Sequence, residues 1–198
     1  TSGESTGACM EYVRDGIDWE LWNKNIDLVL NSGVIANTGI CGTLSAVSAP
    51  GFTKFLYWLA DRKRTAPKNP NNSYSLMLSV NPVRFPTFQN IIVLPRHIRE
   101  QYSNEIVEFL KGSDIPELFL PIEIDHINRY ASYLREVTAP HQETHIEHTQ
   151  AEYSNNQVDM DILALQKDFK SFFTQYDLRR NKSYVATYPE LADWYNSI

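Results

Sequence analysis

The sequence predicts an α/β fold, read here as the second half of a partial (β/α) TIM-like barrel with additional C-terminal helices. Three observations lead there. Strand-like apolar runs alternate with amphipathic helical stretches, the pattern of parallel strands joined by helices. The run "VIANTGICGTLSAV" (34–47) carries no charge, as expected of a strand buried on both faces. Finally, the pattern yields three strands and about six helices. That leaves a free-standing parallel sheet with an open edge, whereas a whole barrel takes about 250 residues against the 198 of this chain.

Each element has its own signal. Asp18 can cap a helix in which Trp22, Ile26, Val29 and Leu30 recur at helical spacing and which Gly33 stops. The uncharged run follows as the first strand. Pro50 opens a second helix through "GFTKFLYWLADRKR", with Phe52, Phe55, Leu56 and Leu59 on one face. "APKNPNNS" (66–73) is a loop. "YSLMLSV" (74–80) reads as a second strand ended by Asn81-Pro82, and "QNIIVLP" (89–95) as a short third one. "RHIREQYSNEIVEFLKG" is a helix stopped by Gly112, and another runs from about Glu123 to Val137. Ile162, Leu165, Phe169, Phe172 and Phe173 mark a strong amphipathic helix. "RRNKS" is a basic turn, and "YPELADWYNSI" closes as a short helix with Pro189 in its first turn.

Residues 1–137 therefore read as the barrel part, 138–159 as a polar surface insertion and 160–198 as a helical extension. The stretch "APHQETHIEHTQAEYSNNQVD" (139–159) holds few apolar residues.

Composition sets outer limits. A hydrophobic fraction of 42% with 12% aromatic residues supplies a core, and the net charge of −6 argues against a nucleic-acid surface. The basic run Arg62, Lys63, Arg64 reads as a solvated helix end. Two cysteines, Cys9 and Cys41, form neither a disulfide framework nor a zinc motif, which points to a reducing, cytoplasmic home. No apolar run approaches the roughly 20 residues of a membrane span. The sequence contains no G-x-S-x-G, no P-loop and no G-x-G-x-x-G.

The segment "TSGESTGACMEYVRDGIDWELWNKNI" (1–26) resembles the stretch after the fourth strand of radical S-adenosylmethionine (SAM) enzymes. There a strand ending in Ser-x-Asp-Gly leads to "EYxRxG" and a helix. Ser2 falls on the family's Ser, Glu4 on its Asp, Arg14 on its Arg and Gly16 on its Gly. "NPVRFPTFQNIIVLP" and "FFTQYDLRRNKSYVATYPELADWY" are similar to the sixth-strand region and the C-terminal ending of a group of such proteins found in phage and environmental genomes. The family's cluster loop, C-x3-C-x2-C, has no counterpart here, and two cysteines cannot hold a 4Fe-4S cluster. The resemblance therefore implies a fragment that opens in mid-element. Its partner would be the missing N-terminal half of the same polypeptide. SAM and a 4Fe-4S cluster are expected in the intact protein and neither in the isolated chain. With the cluster, the intact enzyme would cleave SAM reductively and abstract hydrogen from a substrate. The alternative is a non-catalytic α/β binding module that has lost the cluster.

The same resemblance assigns cofactor-binding roles. Arg14 would fork onto the SAM carboxylate. Ser2 and Glu4 would reach the amine or the ribose hydroxyls from the C-terminal end of a strand. Asn37, Thr38, Thr43 and Ser45 can line the same mouth. The plain reading of Arg14 is a turn arginine paired with Asp15, Asp18 or Glu20. His141, His145 and His148 would share one face if their segment were helical, yet they lie in the polar insertion and no metal site is assigned.

Overall fold

A computed structural model describes residues 1–32, 37–66, 76–137 and 162–198. Among these residues it is mostly helical, with a single two-stranded parallel sheet, and it does not form a partial TIM-like barrel. The helices are α1 (Gly7–Val13), α2 (Trp19–Asn31), α3 (Ala49–Thr65), α4 (Arg96–Leu110), α5 (Ile115–Leu118), α6 (Pro121–Glu136), α7 (Ile162–Arg180), α8 (Tyr184–Thr187) and α9 (Ala192–Ser197). The strands are β1 (Thr38–Leu44) and β2 (Leu76–Pro82), with Ile40 opposite Leu78.

The sheet shows why the barrel reading fails. β1 alternates, with Ile40, Gly42 and Leu44 buried and Gly39, Cys41 and Thr43 exposed. A barrel strand is covered on both faces; this one is covered on one. The absence of charge in β1 reflects small residues on the open face, not a second layer of helices. On the outer side of β1, the extended residues Thr1–Gly3 add a short parallel rung, with Gly3 N–H donating to the Cys41 carbonyl at 3.1 Å and Cys41 N–H to that of Thr1 at 2.9 Å. Gly42 permits this approach, since a Cβ there would sit 3.3 Å from the Gly3 carbonyl oxygen.

On the outer side of β2, the Leu78 N–H finds a side chain instead of a strand. It donates to Glu123 Oε1 on α6 at 2.7 Å. The expected third strand, "QNIIVLP", is consequently no strand. It winds into two 3₁₀ turns, Thr87–Gln89 and Ile91–Val93. Asn90 holds the second turn by accepting from Ile92 N–H at 3.0 Å, while its amide donates to the Val83 carbonyl and to Tyr133 Oη. A short apolar run between prolines fits a buried turn as well as a strand, and Ile91, Ile92 and Val93 are all buried.

The helices follow their local signals closely. Asp18 caps α2 by accepting from Leu21 N–H at 2.8 Å. Phe52, Phe55, Leu56 and Leu59 of α3 are fully buried, and Phe169 and Phe173 of α7 lie in the same core, which runs from Tyr12 to Tyr195. The basic run of α3 is corrected: Lys63 is not solvated but buried, with Nζ 2.8 Å and 2.9 Å from the two oxygens of Glu123. The C-terminal ending docks on α1. Asp177 accepts from Tyr12 Oη at 2.8 Å and from Tyr184 N–H at 2.7 Å. Arg180 and Lys182 of the basic turn both reach Asp15 at 3.0 Å. The two stretches that carry the family resemblance, around Tyr12 and around Asp177, thus touch.

Candidate functional site

A cleft of about 390 Å³ opens where both strands end, lined by Thr43 and Ser45 from the β1 side and Val83 from the β2 side. In open parallel sheets this end, outside the carboxyl termini of the strands, is where ligands bind. Glu4 and Arg14 line it, from the end of the Thr1–Gly3 rung and from the C-cap of α1. The opposite wall is aromatic: Phe172, Phe173 and Tyr176 of α7, with Tyr12 between.

The polar centre is the ion pair of Glu4 and Arg14. Arg14 Nε and Nη2 both converge on a single oxygen, Glu4 Oε2, at 3.1 Å and 2.8 Å. The guanidinium therefore does not fork across the carboxylate, and its Nη1 makes no hydrogen bond to the described residues. Glu4 is 1% exposed and the Arg14 side chain 29% exposed. Burial pushes the Glu4 carboxyl above its ordinary value, against the pull of Arg14 and of a backbone hydrogen bond from Thr43. A buried carboxylate whose burial outweighs its partner does not add to stability. Its placement at a cleft is the pattern of a binding or reacting group.

Local packing holds the pair in place. Ser5, the next residue, supports the first turn of α3, where a Cβ on Gly51 would lie 2.7 Å from Ser5 Oγ. Across the cleft, Tyr176 Oη donates to the Tyr12 carbonyl at 2.7 Å, which ties α7 to α1.

The structure thus brings together Glu4, Arg14, Thr43 and Ser45 of the residues singled out in the sequence. Arg14 takes none of the three acids next to it in the chain; Asp15 is occupied by Lys182 and Arg180, whose proximity holds its carboxyl below the usual range. Ser2 pairs with Cys41, in the middle of β1, and stands two residues before Glu4 on the rung. Asn37 is exposed just before the opposite end of β1, and Thr38 begins that strand. About 20 Å of strand separates them from the cleft, so neither lines it. His141, His145 and His148 lie outside the described residues. Among the described residues, no group of three or more His, Cys, Asp or Glu can hold a metal ion. Cys9 and Cys41 are both free, the first on α1 and the second on the open face of β1.

Sequence reasoning missed Gln89, Tyr176 and the α7 wall of the cleft. Tyr176 opens the motif "YDLRR" and Gln89 opens "QNIIVLP", but neither motif says which surface its segment docks onto.

Among the described residues, no helix is long and apolar enough to cross a membrane. Compared with protein-family models, with curated proteins and with solved structures, the chain finds no match in any of the three.

Proposed function

We propose that the cleft binds a small ligand by its α-amino-carboxylate end, with SAM the candidate that the family resemblance supplies. The observation that carries this reading is the pair of Glu4 and Arg14: an ionic pair open to the cleft, with one carboxylate almost wholly buried. A zwitterion fits beside an ion pair because its charges alternate with those already present. Its ammonium approaches the Glu4 carboxylate from the cleft, and its carboxylate accepts from Arg14 Nη1 in a charge-assisted hydrogen bond. The aromatic wall of Phe172, Phe173 and Tyr176 receives the less polar remainder of the ligand.

The residues present suit SAM but not the cluster. Three thiolates are needed, and the chain has two cysteines, one on α1 and one on β1. The share of this chain is binding and orientation, with the radical chemistry left to a segment that carries the cluster. The alternative, a non-catalytic binding module, uses the same cleft without such a segment.

The ion pair offers the zwitterion two contacts that do not depend on iron, each contributing roughly 1.5–3 kcal/mol. Dissociation constants on the order of millimolar are therefore expected even of the chain alone. The test is an NMR titration with SAM, methionine and adenosine. SAM and methionine should shift the Arg14 Nε–H and the amides of Thr43 and Ser45, and adenosine should leave the Arg14 signal in place. Arg14→Ala should abolish the shifts. A flat titration with both SAM and methionine at about 10 mM overturns the reading.

A further inference from the structure

The start of α4 runs against its own electrostatics. Its N-cap is Pro95, which offers no side chain to cap with, and its first turn holds no acid. The free N–H groups of a helix N-terminus carry partial positive charge and favour anions. Arg96, His97 and Arg99 stand among the first four positions instead. The Pro95 carbonyl accepts only from Ile98 and Arg99 N–H, so the N–H groups of Arg96 and His97 meet no acceptor among the described residues.

Arg99 supplies a second, independent observation. It is 7% exposed, and a charge buried that far is ordinarily paired with an opposite one. Its bonds go to neutral carbonyls alone: Nε donates to Leu94 at 3.1 Å, and Nη1 to Leu134 and Val137 at 3.0 Å and 3.1 Å. Among the described residues it forms no ion pair, and its Nη2 donates to nothing. Leu134 and Val137 close α6, whose C-terminus offers partial negative charge. The N-terminus of α4 offsets it with partial positive charge of comparable size. Burial, and next the charge of Arg96, push the Arg99 guanidinium below its ordinary value, yet an arginine remains protonated. A full positive charge is thus left inside the protein without a counter-charge.

That charge borders open space. Arg99, Arg96 and Arg135 line a cavity of about 610 Å³ whose wall is otherwise largely apolar. Two acids stand nearby: Glu136 on the lining, and Glu100, which accepts from Arg96 Nε at 2.7 Å. Arg135 gives its Nη2 to the neutral Asn104. The three arginines outnumber the two acids.

We infer that this cavity binds a phosphoryl group, as inorganic phosphate or a small phosphate monoester, held by Arg99 Nη2 and the first N–H groups of α4, with Arg96 and Arg135 at the rim. A phosphoryl group carries about −1.5 to −2 charges and three strong acceptor oxygens. It supplies the missing counter-charge and occupies more of these donors than the two oxygens of a carboxylate. A guanidinium and a helix N-terminus are each suited to such an anion. The cavity shares no lining residue with the cleft of Glu4 and Arg14, so the inference does not rest on the reading of that cleft.

The test is an NMR titration of the full chain with inorganic phosphate and with glycerol 3-phosphate, at constant pH, with chloride at the same ionic strength as the blank. Both phosphates should shift the Arg96 and His97 amides together with the Arg99 Nε–H, saturating on the order of millimolar, and chloride should leave them in place. Tighter binding of glycerol 3-phosphate marks a site for esters, and tighter binding of inorganic phosphate marks one for the free ion. Arg96→Gln and Arg135→Gln alter exposed side chains. Each should weaken binding about three- to tenfold and leave the melting temperature unchanged. Arg129→Gln, which removes an equally exposed charge from α6 away from the cavity lining, should not weaken it. The inference is overturned by the absence of shifts with both phosphates at about 10 mM, by shifts that chloride reproduces, or by an affinity indifferent to Arg96 and Arg135.

Discussion

The ion pairs Arg14–Glu4 and Lys63–Glu123 both place a carboxylate inside the protein, and they differ in what remains open. Glu123 is 2% exposed and the Lys63 side chain 1%. Each Glu123 oxygen accepts twice: Oε1 from Lys63 and Leu78 N–H, Oε2 from Lys63 and Leu120 N–H. The ammonium lies 4.6 Å from the Phe119 ring centroid. This pair is closed on all sides and joins α3, β2 and α6. It supplies the edge of β2 with the acceptor that a third strand would otherwise have brought. Burial holds the Lys63 amine below its ordinary value, and Glu123 opposes that. The Arg14–Glu4 pair has an equally buried acid, but its cation is part exposed, both its bonds meet one oxygen, and it borders a cleft. A closed pair serves the fold; an open pair leaves charge for a ligand.

Breaking the closed pair should have the largest effect. Lys63→Met leaves the Glu123 carboxylate buried without its counter-charge and should cost about 3–5 kcal/mol, measured by urea denaturation. Adding Glu123→Leu should not restore the loss, because Leu78 and Leu120 N–H then lose their acceptor. A cost under about 1 kcal/mol for Lys63→Met would erase the distinction drawn between the two pairs.

Next in size is Gly51→Ala. Its Cβ would meet Ser5 Oγ at 2.7 Å and Ser5 Cβ at 2.9 Å, and overpacking of this kind costs about 1–3 kcal/mol. It displaces the segment that carries Glu4 without touching a charge. Methionine binding should therefore weaken together with stability, and intact binding would show that the position of Glu4 is loosely held.

Glu4→Gln should behave in the opposite way to the closed pair. Stability at neutral pH is expected to stay level or rise by about 1 kcal/mol, since a costly buried charge is removed and Arg14 can turn to water. Ligand affinity should fall at least about tenfold. A large loss of stability would class Glu4 with Glu123 as a structural acid.

The smallest effect is the pH dependence of that difference. The Glu4 carboxyl lies higher in the folded protein than its unfolded value of about 4.3. The folded state thus holds the proton more tightly, and the wild type loses stability as pH rises from the unfolded value through the folded one. Glu4→Gln lacks this loss. Its advantage over the wild type should widen as pH rises above about 4.3, measured by paired denaturation curves. A gap that narrows would mean that Arg14 outweighs burial.

Much of the local structure is legible in the chain alone. The Asp18 cap, the apolar face of α3, the stop near Gly112 and the α7 stripe with Phe169 and Phe173 all depend on contacts within a few residues. Helical spacing and capping chemistry report such contacts directly. The two runs that became β1 and β2 are also readable as strands, and they pair in parallel. Glu4 and Arg14 could be singled out from the sequence only through resemblance, and their mutual pairing was not foreseen.

What only the tertiary structure decided depends on partners distant in the chain. "QNIIVLP" has the composition of a strand, but a strand needs a free edge, and the edge of β2 is taken by Glu123. Lys63 sits in a basic run that looks solvated until α6 brings a carboxylate to it across 60 positions. The aromatic wall of the cleft reaches α1 through the bond of Tyr176 to Tyr12, 164 positions away. A side chain's own type and its near neighbours set its helical or extended preference. Whether a charge is buried, an edge closed or a cleft completed depends on which distant surface arrives to exclude the water.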